Sequence, residues 1–378
     1  MQKLSLIFFV TEDWYFCSHR FHLALAAKKA GFDVSVITHV NAHAEQIESA
    51  GIKLIPLELS RRGINPLSEF RVLYQLILIY RVERPNIVHN VALKPVLYGG
   101  LAACFANIPC VVNALPGLGI IFSSQLLKVR LLRPMVTFLF RLLLNRRNSR
   151  VILQNPDDVR LMCSNRIVTQ KQIVLIRGSG VDTRQFIVHP EQAGVPVVTL
   201  ASRLLWDKGV GEFVEAAKKL RLQGIVAKFV LVGRGDKENP AAISEKQLKI
   251  WHEEGNVEWW GQRDDMPKVM AQSHIICLPS YYGEGVPKVL IEAASSGRPI
   301  VTTDSPGCRE IVQDGKNGFL VPLRNVEILV KMLKVLIESP SLRKKMGEYG
   351  RALVEKGFTL KKVNGETIAV YKELAKCR

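Results

Sequence analysis

Short apolar runs recur along this chain, each followed by a longer stretch of helical periodicity, and this alternation narrows the possible folds more than any other feature. In the first half the runs are "LSLIFFVT", "DVSVITHV", "KLIPLEL", "NIVHNVAL", "PCVVNAL" and "RVILQN". In the second half they are "PVVTLASRL", "AKFVLVGRG", "NVEWWG", "HIICLPSY", "PIVTTD" and "NGFLVP". Stretches such as "SHRFHLALAAKKAG" and "LSEFRVLYQLILIYRVE" separate them. Strands that are apolar on both sides belong to parallel sheets covered by helices on both faces. Two such sets in 378 residues are too much for one ordinary core and imply two doubly wound α/β domains. The join is expected near 165–190, with an N-terminal domain over 1–170 and a C-terminal domain over 171–357. A terminal helix over 358–378 follows, and a return to the N-terminal domain is one option for it.

The chemistry of the chain excludes several classes. Hydrophobic content of 48% and charged content of 23% fit a folded protein rather than a disordered one. Seven scattered cysteines without a C-x-x-C pair suggest free thiols in a reducing cytosol. The opening "MQKLSLIFFVTEDW" meets acids at once and has no small-residue cleavage site, so it reads as a first buried strand. No apolar stretch reaches the roughly 18 residues of a spanning helix. The expected location is therefore cytoplasmic, with peripheral association at the inner face of the cell membrane.

That association is suggested by charge. The net charge is +18, and between Arg84 and Arg150 there is no Asp or Glu but nine Lys or Arg. The densest part, 123–150, mixes Leu, Val and Phe with Arg at roughly helical spacing. A basic amphipathic segment suits an anionic membrane surface; a packed helix with a solvated basic rim is the plainer alternative. No helix-turn-helix, zinc-finger or aromatic-interleaved pattern supports nucleic acid as a partner.

Ligands of open parallel sheets bind at the carboxyl ends of strands, so the loops that follow the second-half strands are the place to look. "SRLLWDKG" puts Arg203 and Lys208 five residues apart across a strand-to-helix turn, where two cations suit a diphosphate leaving group. "LVGRGD" offers the amides of Gly233 and Arg234 without Cβ obstruction, although it lacks the third glycine of a dinucleotide fingerprint. In "YYGEGVPKVLIEAASSG", Glu284 and Glu292 bracket an acid-free run. Pro287 suits the first position of a helix. The amides of Lys288 and Val289 then point with the helix dipole at whatever precedes it. Glu284 stands outside that start, placed to face a sugar, and Glu292 stands inside the helix, placed to accept from ribose hydroxyls. The chain has no Asp-x-Asp, and Asp157-Asp158 and Asp264-Asp265 read as helix-start acids rather than a metal site.

The block "EGVPKVLIEAASSGRPIVTTDSPGCREIVQDGKNGFLVP" resembles the Glu-x7-Glu block of family 4 glycosyltransferases, and "SRLLWDKGVGEFVEAA", "LVGRGD" and "GVDTRQF" resemble further blocks of that family. The resemblance implies a GT-B fold, two Rossmann-like domains facing a central cleft, and a retaining transferase. It assigns Arg203 and Lys208 to the donor diphosphate, Glu284 to the transferred sugar and Glu292 to the ribose. Gly261 and Arg263 would flank the base, and the backbone from Gly285 and Val286 onward would complete the phosphate cradle. The donor implied is a UDP-sugar, with an N-acetylhexosamine preferred. The acceptor implied is a polyprenyl-diphosphate-linked sugar, used in surface glycan or glycoprotein assembly, with no cofactor and no metal. Two departures stand out. "TEDWYFCSHR" replaces the usual glycine pair after the first strand, and "VVNALPGLG" puts Asn113 where a histidine often ends the fifth strand. The acceptor pocket is therefore expected from His19, Arg20, His89, Lys94 and Asn113, with His19 on the loop leaving the first strand as a candidate catalytic base. The expected chemistry is front-face attack, because carboxyls placed as Glu284 and Glu292 are do not match the roughly 5 Å pair of a double displacement. The alternative is a GT-B enzyme on a soluble substrate, such as a nucleotide-sugar epimerase.

Overall fold

The structure, a computed structural model, describes residues 3–59, 65–118, 127–236, 238–281 and 283–376. The chain divides into two compact units, Met1–Ser179 with Leu360–Arg378, and Gly180–Thr359. The first unit holds seven parallel strands: β1 (Ser5–Glu12), β2 (Asp33–His39), β3 (Lys53–Pro56), β4 (Ile87–Val91), β5 (Cys110–Leu115), β6 (Ser149–Leu153) and β7 (Ile173–Leu175). Their order in the sheet is β3-β2-β1-β4-β5-β6-β7. The second unit holds β8 (Val197–Ala201), β9 (Lys228–Val232), β10 (Glu258–Trp259), β11 (Ile275–Leu278), β12 (Ile300–Thr303) and β13 (Gly318–Val321). Their order is β10-β9-β8-β11-β12-β13. Both sheets are doubly wound, the GT-B pair of Rossmann-like units that the alternation and the resemblance implied.

Local chemistry explains the element starts. Asn65, Asn155, Ser244 and Asn325 each stand one residue before a helix, and each side chain accepts from a first-turn amide that has no partner within the helix. Asp157 and Asp158 fall in the first turn of Pro156–Ser164.

Three expectations need correction. The first unit runs past residue 170, because the short run "IVL" pairs with β6 as β7. The turn after β1 is not a loop: Asp13–His19 is helical from its first residue, so His19 ends that helix and Arg20 joins it to Phe21–Lys29. Pro287 is not the first helical residue but the one before it, its φ of −64° and ψ of 122° being extended while its carbonyl accepts from Leu290 and Ile291.

The first unit has two distinct faces. On one, helices Asp13–His19 and Phe21–Lys29 and the last helix, Leu360–Lys376, cover β1 and β5, with Val363, Val370, Tyr371 and Leu374 in a core that includes Phe8, Phe16 and Val112. On the other, helices Pro66–Glu83, Leu93–Phe105 and Leu127–Leu144 lie over Phe9, Val88, Val111 and Val151. The last of these carries most of the expected basic amphipathic segment; its start, 123–126, lies outside the described residues.

Candidate active site

Strand order decides where a ligand can sit. In the second unit the chain runs outward through β9 and β10 on one side of β8 and through β12 and β13 on the far side of β11. The order therefore reverses between β8 and β11, and the carboxyl edge at such a switch point is where open parallel sheets bind ligands.

Lys208 comes from the first loop and Glu284 from the second. Lys208 Nζ lies 2.5 Å from Glu284 Oε2, with the side chains 12% and 19% exposed. Ser280 Oγ donates to the other carboxylate oxygen at 2.7 Å. The backbone around this pair is tightly fitted. Tyr281 N donates to the Asp207 carbonyl at 3.0 Å, which ties the two loops together. A Cβ on Gly209, whose φ is +74°, would come within 2.2 Å of the Pro279 carbonyl oxygen. A Cβ on Gly307 would lie 1.6 Å from the Gly285 carbonyl oxygen, so only glycine lets "SPGCRE" pass beneath the strand-end loop that carries Glu284.

The remaining second-unit residues lie on these and other connections of the same sheet, most with partners of their own. Arg203 is half-exposed and its Nη1 donates to Asp236 of "GRGD" at 2.9 Å. Gly233 N donates to the Gly261 carbonyl at 2.7 Å. A Cβ on Gly233 would meet the Ser202 carbonyl oxygen at 1.9 Å, so strand-end packing alone demands glycine there. Arg234 is exposed and its carbonyl accepts from Leu204 N. The Arg263 guanidinium makes two 2.7 Å bonds to Asp265 and lies 5.9 Å from the Trp260 ring. Gly285, Val286 and Pro287 are buried before helix Lys288–Ser295, whose first amides, those of Lys288 and Val289 included, have no partner within the helix. Glu292 is buried inside that helix, 3.1 Å from Lys288 Nζ. Burial pushes its carboxyl above the usual range against the opposing pull of Lys288.

The first unit reverses its strand order between β1 and β4, and there the residues differ in kind. His19 stacks on Tyr15 with ring centroids 4.3 Å apart, and its Nδ1 lies 2.6 Å from Ser18 Oγ. Arg20 is only 7% exposed, and its buried Nε has no hydrogen-bond partner. Lys94, in the first turn after β4, is bound to Glu69 at 2.7 Å. Just before it, Ala92 holds φ 82° and ψ 165°, a region nearly reserved for glycine that costs about 1–3 kcal/mol and clusters at ligand clamps. Asp13 is fully buried: burial raises its carboxyl pKa, but bonds from the amides of His43, Asn41 and Trp14 outweigh that and hold it below the usual range.

Two expected acceptor residues are corrected here. His89 is wholly interior, its Nδ1 2.5 Å from the Tyr371 hydroxyl. Burial, with Arg20 nearby, keeps its ring pKa well below normal. Asn113 is spent inside the sheet, accepting from Asn90 and donating to Ser149. Neither reaches a surface that an acceptor could touch. Sequence reasoning missed Ser280 and Asp236, although each sits at a strand end within four residues of a residue it did single out.

Two family descriptions match this arrangement. "Glycosyl transferases group 1" covers residues 181–353, and "Glycosyl transferase 4-like" covers residues 5–155. The chain belongs to the group 1, family 4-like glycosyltransferases. It is 29% identical over 337 residues, 86% of the chain and 87% of the relative, to the N,N'-diacetylbacillosaminyl-diphospho-undecaprenol alpha-1,3-N-acetylgalactosaminyltransferase of Campylobacter jejuni. It is 22% identical over 88% of the chain and 86% of the relative to an Escherichia coli UDP-Gal:alpha-D-GlcNAc-diphosphoundecaprenol alpha-1,3-galactosyltransferase. Among solved structures, a glycosyltransferase from Rickettsia africae superposes with a TM-score of 0.80 at 19% identity over the whole of both chains. The Anabaena protein HepE in complex with UDP superposes with a TM-score of 0.77 at 18% identity, over 98% of this chain and all of that one. These matches favour a glycosyltransferase over the epimerase alternative. Among the described residues no three His, Cys, Asp or Glu side chains are grouped to hold a metal ion, and no helix is long and apolar enough to cross a membrane.

Proposed function

We propose that this glycosyltransferase moves a sugar, an N-acetylhexosamine, from a UDP-sugar to a polyprenyl-diphosphate-linked sugar with retention of configuration. The observation that carries the reading is the Lys208–Glu284 pair held by Ser280 at the strand-order reversal of the second unit. The named activities of the Campylobacter and Escherichia relatives support the acceptor class, and the UDP complex of the Anabaena neighbour supports the nucleotide.

In this reaction the bond between the anomeric carbon and the β-phosphate oxygen breaks while the acceptor hydroxyl oxygen bonds to the same face of that carbon. The hydroxyl proton passes to the departing diphosphate. Negative charge grows on that diphosphate, and Lys208, Arg203 and the first amides of helix Lys288–Ser295 stabilise it. Glu284 orients the sugar and balances positive charge at its anomeric carbon. Glu292 holds the ribose, with the Gly233–Arg234 and Gly261–Arg263 segments about the phosphates and the base. On the acceptor side, the buried, unpartnered Nε of Arg20 leaves a guanidinium donor for an anion. We assign it, with His19, to the acceptor diphosphate. The chain then works at the inner face of the cell membrane, where such an acceptor is anchored.

The test is UDP release from a panel of UDP-sugars, with and without a polyprenyl-diphosphate-linked sugar in detergent, beside Glu284→Gln. Release that needs the acceptor, comes from one donor and disappears in the variant supports the reading. Release from no donor while UDP still raises the melting temperature would remove the lipid acceptor and leave a donor site.

A further inference from the structure

Helix Pro66–Glu83 is apolar on two opposite sides. Val72, Leu76 and Tyr80 face the core. Leu67, Phe70, Tyr74, Leu78 and Val82 are exposed, Phe70 at 70% and Val82 at 78%. At roughly 100° per residue the second stripe is centred opposite the first, and it runs about 22 Å along the axis. Helix Leu127–Leu144 repeats the pattern, with Val136, Phe140 and Leu144 buried and Met135, Phe138 and Leu142 outside. Helix Leu93–Phe105 packs against both. Single exposed apolar residues are ordinary, but an exposed apolar stripe on each of the two helices that flank Leu93–Phe105 marks this layer as a contact surface.

The charges around the stripes indicate the partner. Helix Pro66–Glu83 has two acids, and each is taken by a lysine: Glu69 by Lys94 and Glu83 by Lys53, both at 2.7 Å. Arg71, Arg81 and Arg84 are exposed, with no acid paired to them among the described residues. From Arg84 to Arg150 the chain adds only cations. A second copy of the chain would bring like charges together, whereas an anionic bilayer offers both the acyl boundary and the opposite sign.

We infer that the outer face of helices Pro66–Glu83 and Leu127–Leu144 docks on an anionic lipid bilayer, with the apolar stripes in the interface and the arginines on the headgroups. This rests on the reading that the acceptor is lipid-linked, and it assigns the membrane contact to this layer rather than to a basic segment alone. Sedimentation of the full chain with phosphatidylglycerol-containing and pure phosphatidylcholine vesicles tests it. The unaltered protein should bind the anionic vesicles and lose that binding as salt rises. Phe70→Ser with Leu78→Ser should lower the partition coefficient about tenfold or more. Arg81→Gln with Arg84→Gln should lower it about tenfold on anionic vesicles only. Both variants should keep the rise in melting temperature that UDP gives the unaltered protein, which shows that the second unit is intact. The assignment is overturned if the unaltered protein ignores anionic vesicles, or if both variants bind as well as it does. It is overturned equally if the stripe substitution breaks a dimer in light scattering with no change in vesicle binding. A missing UDP response in the unaltered protein would count against the transfer reaction, and the vesicle result would still decide the docking face.

Discussion

Two lysine–glutamate pairs in this molecule have nearly the same geometry and different surroundings. Lys208–Glu284 in the second unit measures 2.5 Å, with side chains 12% and 19% exposed. Lys94–Glu69 in the first measures 2.7 Å, with side chains 17% and 15% exposed. The second pair joins two helices that lie on the same side of one sheet, and Tyr98 closes over it with Lys94 5.5 Å from its ring. The first pair joins two strand-end loops at a reversal of strand order, above glycines that admit no side chain. An ion pair alone does not mark an active site. Both pairs stand near a reversal of strand order, and the close backbone approach around Lys208–Glu284 is what sets it apart.

That comparison breaks most sharply through turnover. Lys208→Ala and Glu284→Gln should each reduce the rate of UDP release about 10²-fold or more, as expected for loss of one preorganised charge. Lys94→Ala should instead lower unfolding free energy by about 1–3 kcal/mol, because it leaves the largely enclosed Glu69 without its lysine, and it should spare donor turnover. Denaturant titration beside steady-state kinetics separates the two, and a Lys94→Ala enzyme that is stable but inactive would make the pairs functionally equivalent. Restoring stability with Lys94→Met and Glu69→Leu together would confirm that the first-unit pair is structural.

The buried carboxylate of Asp13 sharpens the contrast through pH. Its folded pKa is depressed, so its contribution to stability is complete above the ordinary carboxylate pKa and is lost as the pH falls through the folded value. Asp13→Asn should cost about 2 kcal/mol at neutral pH, since an amide cannot accept from every donor that now surrounds the carboxylate. The gap from the unaltered protein should close below about pH 4. A gap that stays constant down to pH 3 would show that packing, not ionisation, sets the effect.

The smallest effect is expected at Arg203. It is half-exposed and already shares its charge with Asp236, so Arg203→Ala should slow turnover only about tenfold, less than Lys208→Ala. Equal losses at the two positions would mean that both cations bear on the leaving group alike.

Much of this was legible in the sequence. Continuous apolar runs give strands buried on both faces without reference to anything distant, and β1 to β6 and β8 to β13 follow them. "IVL" escaped notice as β7 because three residues carry no period. Asp13–His19 escaped because the stretch after the first strand reads as a loop, whereas in the folded chain Asp13 is a buried acceptor for amides near residue 41. Glu284 and Lys208 were identifiable because each adjoins a strand end and a helix start, positions whose chemistry is local. His89 and Asn113 were misplaced because a lone polar residue inside a strand does not say which face it occupies or what covers it. The last helix supplies that cover for His89, through Tyr371, from the other end of the chain.

The sequence by itself therefore determined the two doubly wound sheets and the loops that carry the candidate donor site, since periodicity, turn residues and strand-end positions act within a few neighbours. Only the tertiary structure decided which charges meet, which polar residues are interior and which apolar stripe is left outside. Strand order and helix docking bring together residues far apart in the chain, and no local pattern encodes that meeting.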